Sequence, residues 1–187
     1  MIHMTLSPTT DKLSATSSNL QPTKAFTLIE LVLYVGISSV MLLIISVFLS
    51  TLLESRVKNQ TIAEVEQQGL QTVQIITQTL RNADSILSPA QGASAPSLSL
   101  NTYTGANNPT VFDLASGTLR IAEGASAAVT LTNSRVTASG LNFYNLSRSA
   151  TPGTIQMQFT ITLNNPEGRN EYNYSKMFSA SATLRQP

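Results

Sequence analysis

The feature that most constrains this sequence is an uncharged apolar run from Leu31 to Leu53. As a helix rising about 1.5 Å per residue it measures about 35 Å, enough to cross a hydrocarbon core of about 30 Å. A buried core helix is the alternative, but the chain has few other helical stretches to bury it. Lys12 and Lys24 precede the run and charges of both signs follow it. The length of the run and its lack of charge predict a membrane span. The weak bias of the flanking charges favours an N-terminus in the cytoplasm.

Composition limits the chemistry that this chain can perform. Charged residues make up 11% of its 187 residues, well below the roughly 25% of ordinary soluble domains. There is no cysteine, and the single histidine is His3. The body of the chain therefore lacks the commonest general base and metal ligand. These absences predict a protein that is not an enzyme and has no catalytic residue, no metal site and no cofactor.

A short motif stands directly before the apolar run. The segment KAFTLIE, residues 24–30, together with the run resembles the N-terminus of type IV prepilins and type II secretion pseudopilins. In that family a prepilin peptidase cuts on the cytoplasmic side, just before the phenylalanine, and the new N-terminus is usually N-methylated. The resemblance implies cleavage between Ala25 and Phe26 and methylation of Phe26. It covers about residues 24–53 and departs from the family at Ala25, where glycine is most common.

Glu30 occupies the fifth mature position, and the resemblance implies that it docks the subunit into a growing filament. A charged side chain in a membrane helix costs about 2.5–3.5 kcal/mol at the centre and less near an end, so Glu30 is a functional candidate by default. Cleavage would create an ammonium group on Phe26, one helical turn earlier, and a helix N-terminus also favours an anion. The alternative is an interfacial glutamate of an ordinary single-pass protein.

The partners and the location follow from the same resemblance. The implied partners are prepilin peptidase, other pilin or pseudopilin subunits, the inner-membrane assembly platform and, before assembly, the lipid bilayer. The precursor is expected to cross the cytoplasmic membrane once, with its N-terminus in the cytoplasm and its head outside. After assembly it would belong to an extracellular or periplasmic filament.

Beyond the apolar run the helical pattern continues with a change of character. Apolar or small residues recur at steps of three and four, which is typical of an amphipathic helix: Ile62, Val65, Gly69, Val73, Ile76, Leu80, Ala83 and Leu87. Ser88-Pro89 is a stop signal. The predicted organisation is a cleaved leader at 1–25, a membrane or filament-core helix at 26–53, its amphipathic continuation at 54–87 and a β-rich head at 88–187.

Period-two patterns dominate the head after a Ser/Ala/Pro-rich stretch at 88–96. The predicted strands are Ser97–Tyr103, Thr110–Leu114, Thr118–Ala122, Ala127–Thr132, Leu141–Ser147, Thr154–Leu163 and Tyr174–Leu184. Ser116-Gly117 fits a tight hairpin turn between the second and third of them. One long helix followed by an antiparallel sheet is an α+β order, and it matches the pilin-like architecture.

The head shows little that predicts chemistry of its own. Its acids are scattered, with no calcium-loop or paired-carboxylate spacing. Its arginines lack interleaved aromatics, so there is no clear nucleic-acid site: Arg120, Arg135, Arg148 and Arg169. By its overall resemblance the chain is interpreted as a minor pilin or pseudopilin, and it looks more like J-type or W-type minor subunits than a major pilin. The alternative is an uncleaved single-pass adhesin or sensor.

Overall fold

The computed structural model describes residues 25–185. The predicted leader lies outside these residues except for Ala25. The chain divides into two compact units, one reaching Ser46 and the other beginning at Val47. The first unit contains the start of a long helix, and the second contains the rest of that helix and the head.

Helix α1 spans Leu28–Arg81, which confirms a long helix but shortens it at both ends. The sequence placed Phe26 inside the helix, whereas Phe26 precedes it in the structure. The predicted end at Leu87 is also wrong, because Ala83–Ser88 is a strand. Ala83 is buried, as its place on the predicted helical stripe suggested, but it is buried as part of a strand. Its spacing from Leu80 was therefore misleading.

As far as the structure describes it, to residue 185, the head contains nine strands, all paired antiparallel, in two sheets. Their bounds are β1 Ala83–Ser88, β2 Ser94–Ala95, β3 Leu98–Thr102, β4 Thr110–Ala115, β5 Thr118–Glu123, β6 Val129–Thr130, β7 Val136–Asn145, β8 Thr154–Leu163 and β9 Ser175–Thr183. One sheet has the order β1-β3-β4-β5-β6, and the other has the order β2-β7-β8-β9. The predicted α+β class is confirmed, with two sheets where the sequence suggested one. Short 3₁₀ helices lie in two of the loops between strands: Gly105–Asn107 between β3 and β4, and Asn170–Tyr172 between β8 and β9.

The hairpin between β4 and β5 forms as the sequence predicts. Ser116 and Gly117 both have positive φ, 50° and 75°, as a two-residue type I′ turn requires. Their backbone twist matches that of the flanking strands, so Ala115 pairs directly with Thr118. This local turn sets the register between β4 and β5.

Strand β7 contains a bulge that the alternation of its sequence conceals. Ser139 pairs with Thr160 and Asn142 pairs with Gln158, so three steps along β7 match only two along β8. Gly140, within this interval, has a φ of 62°. An extra residue reverses the side that each later residue faces. Val136 and Leu141 are therefore both buried although they are an odd number of residues apart. The predicted strand, Leu141–Ser147, covered only the part after the bulge.

The core forms where the second half of α1 packs on the sheets. The buried helix positions step by three and four, as predicted, but include two threonines: Thr61, Val65, Gly69, Thr72, Ile76 and Leu80. Thr72 satisfies its hydroxyl by donating to the Gln68 carbonyl at 2.9 Å. Charged pairs border the contact, with Lys176 Nζ 2.6 Å from Glu66 and Arg135 Nη2 2.9 Å from Glu64. Apolar burial thus holds helix and head together, and polar pairs line its edge.

Gly69 packs tightly against Phe178 of β9. A Cβ on Gly69 would lie 2.1 Å from Cζ of Phe178, and the Phe178 ring is itself stacked on Phe159 at 5.6 Å between centroids. Phe178 is 6% exposed, so it has little room to move. Glycine is therefore required here by close approach rather than by backbone conformation.

We expect Gly69→Ala to lower the free energy of unfolding of the head by about 1–2 kcal/mol. Overpacking costs about 1–3 kcal/mol, and the better helix propensity of alanine returns up to about 1 kcal/mol. Chemical unfolding followed by near-ultraviolet circular dichroism in detergent micelles measures the change. Gly36→Ala is the matched control, because its Cβ would meet nothing within 4 Å. Equal stability of the two variants would contradict this account of Gly69.

Candidate functional site

The predicted processing junction lies in non-helical chain directly before α1. Ala25 and Phe26 precede the helix and are exposed, with the Phe26 side chain 73% exposed. A peptidase must bind its substrate in an extended form, because a helix keeps its backbone groups paired internally. The structure therefore leaves the Ala25–Phe26 bond accessible, on the N-terminal side of the apolar helix.

Thr27 caps the first turn of α1. Its hydroxyl oxygen accepts a hydrogen bond from the Glu30 amide at 3.4 Å, and its carbonyl accepts one from the Leu31 amide at 3.1 Å. Thr at the cap followed three residues later by Glu is a capping-box sequence. Sequence reasoning missed this role of Thr27, although the Thr-x-x-Glu spacing was its signal. The cap defines where the helix begins and places Glu30 in its first turn.

Tyr34 joins the two ends of the predicted site. Its hydroxyl donates to Glu30 Oε1 at 3.1 Å, and its ring meets the Phe26 ring edge to face, with centroids 6.4 Å apart. Residues four apart lie on one helix face, so an acid followed by a tyrosine at this spacing was the signal that sequence reasoning overlooked. Phe26, Glu30 and Tyr34 thus form one contiguous cluster, which we call the N-terminal cluster.

The apolar part of α1 is exposed in the described part of the chain. Its most hydrophobic window has a mean hydropathy of 2.6 and is 0% buried. The hydroxyls of Ser39, Ser46 and Thr51 each donate to the carbonyl four residues earlier, at 2.8, 2.8 and 3.1 Å. These bonds satisfy polar groups inside the helix itself, as a lipid surrounding demands. This part of the helix is long and apolar enough to cross a membrane.

An open cleft of about 470 Å³ in the head is lined in part by Arg135 and Arg169. Arg135 pairs with Glu64, while Arg169 pairs with Glu171 and lies over the Tyr172 ring at 5.1 Å. The Glu171 carboxylate raises the pKa of Arg169 chiefly through their hydrogen bond. The pKa of Glu171 is lowered by its own backbone amide and then by Arg169. Both guanidinium groups already have carboxylate partners. Neither arginine of this cleft is therefore an unpaired cation for an incoming anion.

Residues 25–185 contain no cluster of three or more histidine, aspartate or glutamate side chains able to hold a metal ion. Comparisons of the chain with protein-family models, with curated proteins and with solved structures found no match. The candidate functional site is therefore the N-terminal cluster together with the apolar part of α1.

Proposed function

We propose that this chain is a structural subunit, a minor pilin or pseudopilin, of a type IV pilus-like filament. It is made as a membrane precursor, cut between Ala25 and Phe26 by prepilin peptidase, and assembled through α1. The observation that carries the proposal is an accessible small-residue junction two residues before a capped apolar helix whose first turn holds a carboxylate. The resemblance of residues 24–30 to prepilin N-termini gives this arrangement its interpretation.

Exposed apolar surface on α1 supports assembly through the helix. Twenty large apolar side chains of this helix are over 40% exposed, far more than a monomeric soluble protein leaves uncovered. Lipid covers them in the precursor, and the helices of neighbouring subunits replace the lipid in the filament. The same surface suits both states because lipid tails and apolar side chains are similarly nonpolar.

The N-terminal cluster supports a docking role for Glu30. Before cleavage the carboxylate has Tyr34 as a hydrogen-bond donor, which lowers the cost of placing it at the membrane boundary. Cleavage adds a second partner, the ammonium group of Phe26, and in the filament the ammonium group of a neighbour takes that place. Docking is thereby coupled to processing, because the ammonium group does not exist in the precursor.

Location and partners follow from this proposal. The N-terminus faces the cytoplasm, where the peptidase acts, and the head lies outside the cytoplasmic membrane in contact with the assembly platform and other subunits. The likeness to J-type or W-type minor subunits is part of the proposal. After release from the membrane the subunit resides in a periplasmic or extracellular filament.

Mass spectrometry of the N-terminus tests the proposal directly. In cells with an active prepilin peptidase we expect the purified protein to begin at Phe26 and to carry one N-methyl group. In an otherwise identical strain without the peptidase it should retain residues 1–25. An intact N-terminus in both strains would favour the uncleaved adhesin or sensor and overturn the filament proposal.

A further inference from the structure

The outer face of the four-stranded sheet carries no charge. Strands β7, β8 and β9 contain a single charged residue, Lys176, and it lies on the inner face, where it pairs with Glu66 of α1. In the other sheet, by contrast, β1, β4 and β5 carry Asp84, Asp113, Arg120 and Glu123. We call the charge-free surface the polar face.

The polar face is an ordered array of hydroxyl and amide groups. Strand pairing places Ser94, Tyr144, Gln156 and Ser181 in one row, and Asn142, Gln158 and Ser179 in the next. Rows on one face repeat about every 7 Å along the strands, and neighbouring strands are about 4.8 Å apart. Ten-residue strands make the array about 33 Å long. Its shape is an extended surface rather than a pocket.

Many of these side chains have hydrogen-bonding capacity to spare. Gln158 donates to the Met177 sulfur at 3.0 Å, and Thr154 bonds Thr183 at 3.0 Å. Among the described residues, the side chains of Tyr144, Gln156 and Ser181 make no hydrogen bond to protein. Hydroxyls and amides both donate and accept, so the face can match a ligand that does the same.

The chemistry of the polar face selects among classes of partner. A nucleic acid or an anionic membrane requires lysine or arginine, and neither lies on this face. The core of a protein interface is enriched in aromatic residues, methionine and arginine and depleted in serine, whereas here the only aromatic side chain is Tyr144 and the only methionine is Met177. A neutral polysaccharide has many hydroxyls, no charge, and apolar sugar faces that stack on an aromatic ring. A neutral polysaccharide therefore matches the hydroxyl and amide groups of the face, its lack of charge and its exposed tyrosine.

We infer that the polar face binds a neutral polysaccharide chain, with Tyr144 stacking on a sugar ring and the surrounding hydroxyls and amides bonding its hydroxyl groups. This activity goes beyond assembly into a filament. It belongs to the head alone and is the same whether the N-terminus is cleaved or retained. The binding test can therefore fail while the cleavage test succeeds, and the reverse.

Co-sedimentation of the full chain, in detergent micelles, with insoluble cellulose and chitin tests this inference, with alginate gel as the acidic comparison. We expect binding to at least one neutral polymer and no salt-sensitive binding to alginate. Gln156→Glu combined with Ser179→Glu should weaken binding about tenfold or more, because two carboxylates would lose water without gaining a partner. Tyr144→Ala should weaken it as well. All three positions are at least partly exposed, so the thermal unfolding temperature should change little.

Leu87→Glu combined with Val129→Glu is the matched control. Both side chains are exposed on the other sheet, 57% and 63%, so the pair adds the same charge away from the polar face and should bind as the parent chain does. Absence of binding to either neutral polymer would overturn the inference, and so would equal loss in the control. Dimerisation of the chain that Gln156→Glu abolishes would assign the face to a second copy and likewise overturn it.

Discussion

If the chain is processed as proposed, Ala25→Leu should leave it at precursor length in cells with an active prepilin peptidase. A peptidase pocket that accepts alanine before the cut has room for one methyl group, and the leucine side chain would clash with its walls. We expect the processed fraction to fall at least tenfold. The measurement is the ratio of precursor to mature bands on immunoblots, with the N-terminus of each band identified by mass spectrometry.

Ala25→Gly is the matched control for this prediction. Glycine is the commonest residue at this position in the family that the N-terminus resembles, so this variant should mature at least as fast as the parent chain. Neither substitution touches the head, since Ala25 is exposed and outside every helix and strand. Normal maturation of Ala25→Leu would mean that the junction has been assigned to the wrong bond.

The elements that the sequence predicted well are those determined by local interactions. Strand β8 has the predicted bounds, Thr154–Leu163, because five inward apolar residues alternate with polar ones across its whole length. The turn at Ser116-Gly117 forms because two adjacent residues accept positive φ. The helical stripe from Val65 to Leu80 is likewise a periodic pattern on a single element. Each of these signals is complete within a single element or turn.

The elements that sequence reasoning missed depend on distant partners. Ala83–Ser88 continues the helical spacing but becomes a strand because β3 pairs with it through Ile86 and Leu100. The first part of β7 has only Val136 and Ala138 as buried apolar residues, and the bulge at Gly140 interrupts its alternation. A period-two pattern cannot be followed across an inserted residue. The division into two sheets is set by which strands pair, and no single segment encodes it.

The candidate site divides in the same way. Ala25, Phe26 and Glu30 were singled out because their order and spacing resemble a short motif. Tyr34 was missed because a tyrosine within an apolar run looks like one more lipid-facing residue. The structure shows its hydroxyl bonded to Glu30 and its ring against Phe26, and the four-residue spacing from Glu30 was the signal for the first of these contacts.

Glu30→Ala should be processed normally yet be nearly absent from filaments. In the proposed assembly the Glu30 carboxylate neutralises the N-terminal ammonium group of a neighbouring subunit, out of contact with water. Removing one partner of a buried ion pair costs about 3–5 kcal/mol, and each 1.4 kcal/mol is about tenfold in an equilibrium. We therefore expect at least a hundredfold fall (about 2.8 kcal/mol) in incorporation. Immunoblots comparing the sheared filament fraction with the membrane fraction give this ratio.

Two further variants separate the charge of Glu30 from its packing. Glu30→Gln keeps the size of the side chain and an acceptor for the Tyr34 hydroxyl, so if charge is what docks the subunit, it should fail as alanine does. Tyr34→Phe keeps the ring that contacts Phe26 but removes the hydroxyl that donates to Glu30. It should assemble with a smaller loss, about tenfold, because a hydrogen bond to a charged group contributes about 1.5 kcal/mol at the low end.

The order of these losses carries the argument. A defect in Glu30→Ala that Glu30→Gln does not share would show that packing, not charge, requires a glutamate at this position, and the docking role would be wrong. Equal loss in Tyr34→Phe and Glu30→Ala would mean that the tyrosine, rather than a new ammonium group, is the essential partner of the carboxylate. If the decisive partner of the carboxylate is created by cleavage, Glu30→Ala and Glu30→Gln should be incorporated into filaments equally poorly. Tyr34→Phe should then be incorporated much better than either.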